Sequence, residues 1–407
     1  MNSQNYEQEA EEHGDVFLDE SDIIQEIPFD EEELPEADEE HASDEEHDEV
    51  AEDSMHIFTG HTDELYTVAC SPTDPTLVAT GGGDDKGFMW RIGRGDWAFE
   101  LLGHGNSVTS VSFSADGQLL ASGGYDGIIK IWDVSKEELK CTLEGPGNGI
   151  EWVKWHPRGH VVLAGSEDFS VWMWNADKKN GHPRVFSGHG NVVTCGDFTP
   201  DGKTICTGSD DATLRIWNPV SCTVIREIGV NNSSFIDLGY PYHTEGLTCM
   251  AISPDSAVAL TGSTDHKVHM VNISSGKVVR SLTAHTDSIE CVGFSPSGQW
   301  VATGSLDHKL IVWDLQHSEP RNTFLHEDGV TCLIWLTTSN PSRYIATGSA
   351  DGKVRVWDGL AGGNTAVRTF SGHTEGVQSL SVSADGNFLV SAALDGTARV
   401  FEIHEFK

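Results

Sequence analysis

The stretch Leu119–Val134, LLASGGYDGIIKIWDV, decides how this chain folds. Leu-Leu-Ala-Ser is a short apolar run that enters a Gly-Gly-Tyr-Asp-Gly turn, and Ile128–Trp132 alternates out again to a Trp-Asp pair. Two short strands around a tight turn account for this pattern, since Gly and Asp accept the backbone angles that such a turn needs. Upstream stands Gly103-His104, followed by another alternating run, Val108–Phe113.

The unit recurs. Aligned on the turn aspartate, the repeats place Asp84, Asp126, Asp168, Asp211, Asp265, Asp307, Asp351 and Asp395 in register, with successive spacings of 42, 42, 43, 54, 42, 44 and 44 residues. Six positions later come Trp90, Trp132, Trp174, Trp217, Val271, Trp313, Trp357 and Phe401. A histidine precedes seven of the eight: His61, His104, His189, His243, His285, His326 and His373. This period, with Gly-His early and Trp-Asp late, resembles the WD40 repeat family, whose unit is one four-stranded propeller blade. The expected fold is therefore all-β, a single eight-bladed propeller over residues 55–407, preceded by an acidic disordered tail over residues 1–54.

The resemblance also implies a buried hydrogen-bonded relay within each blade. It would join His104, Ser122, Asp126 and Trp132 in the second blade, and His285, Thr303, Asp307 and Trp313 in the sixth. Buried polar groups cost free energy unless paired, so such a relay is complete or absent. The third blade departs from the pattern, with Gly-Pro-Gly-Asn in place of Gly-His and Ala164 in place of the hydroxyl, yet it keeps Asp168 and Trp174. Either Asp168 finds backbone amides or water, or it is freed to face a ligand beside Glu167.

Charge is divided unevenly. The chain has 64 acidic and 25 basic residues, a formal net charge of −39. Residues 1–54 hold 24 Asp or Glu and no Lys or Arg, which leaves about −15 for the remainder. Phosphates would be repelled, so direct nucleic-acid binding is not expected, and basic protein partners are. No apolar run is long enough to span a membrane, and the N-terminus is not a basic-then-apolar signal, so a cytoplasmic or nuclear monomer is expected. Cys195, Cys249, Cys291 and Cys332 fall at one equivalent strand position, which reads as packing rather than metal binding or disulfides. No cofactor or metal is expected.

Within the tail, Asp15–Asp30 (DVFLDESDIIQEIPFD) mixes apolar residues with acids, either as a docking motif or as an incidental part of a solvated segment. Met55–Thr59 precedes the first Gly-His as the outer strand of a blade that has no beginning, and the last repeat lacks its outer strand. The two should pair and close the ring, which removes an open sheet edge. The longest spacing contains Gly229–Tyr242 (GVNNSSFIDLGYPY), where Phe235, Tyr240 and Tyr242 either present anchors for a partner or fold onto their own blade.

By register, one face of the disc gathers Glu64 and Tyr66, then Tyr125, Glu151, Glu167, Asp210 and Glu290, with Trp152 close by in sequence. The loops after the histidines add Asp63, Glu245, Asp287, Asp328 and Glu375. Arg91, Arg94, Lys136, Lys178 and Lys179, together with Glu137 and Asp177, fall on the opposite face. A nearly one-signed ring at a concave mouth suits a basic ligand, with the aromatic residues packing against Lys and Arg stems.

No nucleophile elbow, phosphate loop or metal-ligand pair appears, so no enzymatic activity is expected. FTGHTDELYTVACSP and LVATGGGDDKGFMW, with Trp90-Arg91 in place of Trp-Asp, an acidic tail and eight repeats, resemble one branch of the family. That branch comprises the angio-associated migratory cell proteins and the fungal WD-repeat ribosome-assembly chaperones. The resemblance implies a chaperone that holds a newly made, basic large-subunit ribosomal protein on an acidic face. A general interaction scaffold, either a signalling or cell-migration adaptor or a ubiquitin-ligase substrate receptor, is the alternative. The WDVS, WDLQ and WDGL endings lack the Trp-Asp-x-Arg motif usual in cullin-4 receptors.

Overall fold

Each repeat folds into one four-stranded antiparallel sheet, and eight such sheets form the propeller. A computed structural model of the chain describes residues 52–95, 97–178, 182–229, 242–316, 319–336, 343–361 and 363–406. The tail up to residue 51, with its Asp15–Asp30 segment, and Lys179, Phe235 and Tyr240 lie outside the described residues. Blade one is Leu65–Cys70, Leu77–Gly82, Gly87–Arg91 and Ala98–Glu100, counted from the central channel outward. Neighbouring inner strands touch in sequence order around the ring, and that of blade eight, Val377–Val382, touches that of blade one.

The second strand of each blade is enclosed by sheets on both sides. Leu119–Gly124 is buried throughout, so the apolar run LLASGG does not alternate. The cores lie between blades. Leu119, Ala121, Ile129 and Ile131 of blade two pack on Ile150, Val153, Trp155, Val162, Ala164 and Trp174 of blade three.

Closure uses the N-terminal strand. His56–Phe58 pairs antiparallel with Ala398–Glu402, the third strand of blade eight. Phe58 then fills the seam between blades eight and one, against Phe88, Trp90, Val390 and Val400. The contact extends further N-terminal than residue 55. Glu52 pairs with the largely buried Arg399, Asp53 Oδ2 accepts the Ser371 amide at 2.8 Å, and Met55 N donates to Val400 O at 2.9 Å. Residues 52–54 therefore belong with the propeller rather than with the tail, because their polar groups complete the last blade.

Inner strands share one irregularity that positions the candidate site. In seven blades the register with the second strand shifts at the second residue, a β-bulge at Tyr66, Thr109, Glu151, Thr248, Glu290, Thr331 and Gln378. A bulge turns its extra residue out of the regular alternation. Where that residue is threonine, its hydroxyl reaches the next blade. Thr109 donates to Ile150 O at 2.6 Å and Thr331 to Val377 O at 2.5 Å, and Thr248 bonds Ile289 O in the same way. Thr194 of blade four does likewise, with Leu247 O at 2.6 Å.

The cysteine row follows from the same strands. Each thiol of Cys195, Cys249, Cys291 and Cys332 packs against a second-strand glycine (208, 262, 304 or 348), where an added Cβ would come within 2.6 Å of the sulfur. Burial pushes the thiols of Cys195 and Cys332 up to about 12, so they stay protonated and act as small apolar wedges.

Candidate partner-binding face

The turns between second and third strands, and the loops that lead into inner strands, share one face. In the complete blades these turns are held from below. In blade two, His104 Nδ1 donates to Asp126 at 3.1 Å, its Nε2 accepts from Ser122 Oγ at 2.8 Å, and Trp132 Nε1 donates to the same hydroxyl at 3.0 Å. In blade six, His285, Asp307, Thr303 and Trp313 repeat these contacts at 3.0, 2.8 and 2.9 Å. Asp307 further accepts the amides of Thr286 and Lys309. Burial works to raise its pKa, but His285, the Thr286 amide and the Lys309 charge hold the carboxyl below its ordinary value. The relay thus fixes the loop leading into the inner strand to the turn, and both present their side chains upward.

Blades one and eight lack only the indole bond, since Trp90 Nε1 has no partner among the described residues and Phe401 stands at the tryptophan position, and three further blades vary the relay. In blade seven Arg355 takes Asp351, 2.7 Å away, and His326 Nδ1 is left without a partner among the described residues. Burial and the guanidinium lower His326 to about 4. In blade three, Asp168 accepts the Gly147 amide and the Ser170 amide, both at 3.0 Å, the Ser170 hydroxyl, and Trp172 Nε1 at 3.3 Å. Its carboxylate is occupied by its own blade, so Asp168 is not a free contact for a partner. Backbone amides replace the missing histidine. In blade five, Tyr242 is 5% exposed, and its hydroxyl donates to Thr261 Oγ1 at 3.2 Å. It supplies the bond that the tryptophan indole makes elsewhere, in a blade with Val271 at the tryptophan position. Tyr242 is therefore a core residue and not an anchor on the surface.

Trp152 is a second correction. The bulge at Glu151 sends the two neighbours different ways, and Trp152 is 7% exposed, wedged against Gly165 and Gly196 with its indole donating to Val193 O at 2.9 Å. It closes the seam between blades three and four, and no partner reaches it.

The remaining residues form an arc over blades one to four. Tyr66 donates its hydroxyl to Glu64 Oε2 at 3.1 Å. Burial, and then the charges of Glu64 and Asp63, push the Tyr66 phenol up, with Tyr125 close enough to add to the shift. Tyr125, 41% exposed, lies over Gly149, where an added Cβ would fall 2.3 Å from its ring and 3.0 Å from Glu167 Oε2. Glu151 is half-buried, and its carboxyl is raised first by that burial and then by the charges of Glu167 and Asp210. Two of the four bulge positions without a stapling threonine, Tyr66 and Glu151, thus belong to this arc. A third, Glu290, stands apart in blade six, near the Cys249 and Cys291 thiols. The full ring expected from register is an arc with one outlying acid. Several loop acids shape backbone instead. Asp63, Asp287 and Asp328 accept the amide of the following residue at 2.9, 2.7 and 2.7 Å.

Several acids on the opposite face have cations. Asp177 accepts Lys140 Nζ at 2.7 Å and His160 Nδ1 at 3.0 Å, while His160 Nε2 reaches Asp116 at 2.9 Å. Arg91 pairs with Asp74, and Lys136 with Asp133. On the arc, Glu167 and Asp210 add to the upward shift that burial gives Glu151, an arrangement that favours an incoming cation. Phe169 also belongs to this face and escaped the sequence reading. It is 43% exposed at φ 68, a left-handed turn position that holds glycine in blades two, seven and eight. The sequence reading singled out its neighbours Glu167 and Asp168 but not Phe169 itself.

The family model described as WD domain, G-beta repeat, matches residues 52–91, 96–133, 137–175, 181–218, 238–272, 276–314, 318–358 and 364–402. The angio-associated migratory cell protein of Homo sapiens is 43% identical over 65 residues, which span 16% of this chain and 15% of that protein. Ribosome assembly protein SQT1 of Saccharomyces cerevisiae is 36% identical over 70 residues, 17% of this chain and 16% of that protein. The crystal structure of Chaetomium thermophilum Sqt1 bound to the N-terminus of the ribosomal protein L10 superposes with a TM-score of 0.78 at 25% identity. It covers 87% of this chain and 100% of that one.

Proposed function

This chain belongs to the WD-repeat family, and we propose that it is a non-catalytic chaperone that holds a basic ribosomal-protein segment on the arc Glu64–Tyr66–Tyr125–Glu151–Glu167–Asp210. The observation that carries this reading is the upward-shifted Glu151 carboxyl beside Glu167 and Asp210. The Glu151 charge, disfavoured by burial and by Glu167 and Asp210, is relieved by a lysine or arginine, whose stem packs on Tyr125. The likeness to Sqt1, whose crystal structure holds the N-terminus of L10, supports a ribosomal protein as the client. An unassembled ribosomal protein carries charge that would otherwise bind RNA indiscriminately, and a negative arc shields it. The setting would be the cytoplasm or the nucleus, before the client joins the ribosome.

Single exposed ion pairs contribute only ~0–1 kcal/mol, so several contacts must act together. Charge reversal by Glu151→Lys with Glu167→Lys is expected to weaken binding of a basic ribosomal-protein N-terminal peptide at least tenfold, about 1.4 kcal/mol. Glu137→Lys, on the opposite face, is expected to leave it unchanged. Titration of the peptide against each purified variant is the measurement. A larger effect of Glu137→Lys, or none from the arc pair, would reject the proposal in favour of a scaffold that binds elsewhere.

A further inference from the structure

Blade five also differs from its neighbours beside its relay. In the third strand, two residues before the tryptophan position, blades two, four, seven and eight carry Lys130, Arg215, Arg355 and Arg399. Of these, Arg355 pairs with the relay carboxylate Asp351, whereas Arg215 pairs with Glu227 and Arg399 with Glu52. Blade five has His269 there, 1% exposed. Its ring lies 4.2 Å from that of His243, and its Nδ1 is 2.7 Å from Ser281 Oγ. Its Nε2 is buried with no hydrogen-bonding partner among the described residues.

One nitrogen from each histidine and one oxygen of Asp265 lie within 4.8 Å of one another, and all three residues are buried. We propose that His243, Asp265 and His269 bind a divalent transition-metal ion of the zinc class, which supplies beside Asp265 the positive charge that Arg355 supplies beside Asp351 in blade seven.

The donor set suits that class. Two imidazoles and a carboxylate are borderline ligands accepted by Zn2+, and three protein ligands leave one position for water. The surroundings orient them. Ser281 Oγ accepts the His269 Nδ1 proton, which aims Nε2 inward, and Thr261 Oγ1 lies 2.9 Å from His243 Nε2. His243 Nδ1 donates to Asp265 Oδ1 at 2.9 Å in the metal-free chain. On binding, the metal takes Nδ1 and the ring proton moves to Nε2, where it donates to Thr261, so the imidazole stays neutral. Lys267 Nζ, 3.8 Å from Asp265 Oδ2 and partly in solvent, is the cation that the metal displaces. The orphaned His269 nitrogen therefore acquires a partner, and the buried carboxylate keeps its counter-charge.

The test uses the full chain stripped with a chelator and titrated with Zn2+, with bound metal counted after gel filtration. Co2+ serves as the spectroscopic probe. Wild type is expected to retain one more Zn2+ per chain than His269→Arg, a variant that imitates blades four, seven and eight and so keeps the fold. His269→Phe, which follows Phe88 of blade one, is the second variant. Co2+ in wild type should give tetrahedral d–d bands without thiolate charge transfer, which separates this site from the cysteine row. Wild type alone should gain melting temperature with Zn2+. Equal uptake by wild type and both variants, or no uptake by any of them, overturns the proposal.

Discussion

Asp307 and Asp168 hold the same turn position by different means. Asp307 is bonded by His285 and two amides, and Asp168 by two amides, a hydroxyl and an indole. Removing either carboxylate strands donors, most of them partly buried. Asp307→Ala and Asp168→Ala are each expected to cost about 1–3 kcal/mol in chemical denaturation. That departs from the sequence reading, in which Asp168 is the cheaper of the two. Client affinity should be unchanged in Asp168→Ala, because its oxygens face their own blade. The acid limb of stability follows from the same residues. Relay carboxyls such as Asp126 and Asp307 are held below their ordinary value, so their contribution is complete above that value and is lost as pH falls through the lowered range. Glu151 runs the other way, since its carboxyl is raised and the fold is relieved when it is protonated.

Among the elements, His56–Phe58 has the largest consequence for so short a strand. It pairs with blade eight and seats Phe58 against blade one, joining two blades that no other covalent neighbour links. A chain beginning at residue 60 loses both and is expected to fall about 3–5 kcal/mol below one beginning at residue 52, from lost strand bonds and lost aromatic burial. A chain beginning at residue 55 loses only the Glu52–Arg399 pair and the Asp53 bonds. Glu52 is itself well exposed, so about 1 kcal/mol is expected. Urea midpoints of the three chains check the order, and equal midpoints would mean that the strand does not close the ring.

At the scale of the molecule, field strength decides. The described propeller carries the arc on one face and ion-paired acids on the other, so a basic client is steered to one side. Affinity is expected to decline with salt as the Debye length shortens to ~8 Å at physiological strength. It should also decline with acid. A bound cation favours ionised Glu151, whereas the free protein takes up a proton there above the ordinary value of 4.5. Affinity therefore stays level near neutrality and falls once pH enters that raised range, a decline that Glu151→Gln should reduce. Isothermal titration across pH and salt reads both effects, and binding indifferent to each would exclude carboxylates as its basis.

The sequence alone determined the number of blades, their strands and the cysteine packing, because these depend on short-range period and on a unit repeated eight times. It also determined which inner strand carries Glu151 and which turns carry Glu167 and Asp210. Side-chain direction was another matter. Alternation predicts faces only while the strand stays regular, and the inner-strand bulge adds a residue that separates Glu151 from Trp152. The roles of Tyr242 and Asp168 were hidden for a related reason. Each replaces a missing partner from elsewhere in its blade, Tyr242 for an absent indole and Asp168 with amides for an absent histidine. His269 looked like one more strand residue until the fold set it against His243 and Asp265. Only the tertiary structure brings such groups together, since hydrogen bonding and burial act between atoms that the chain separates by about half a blade or more.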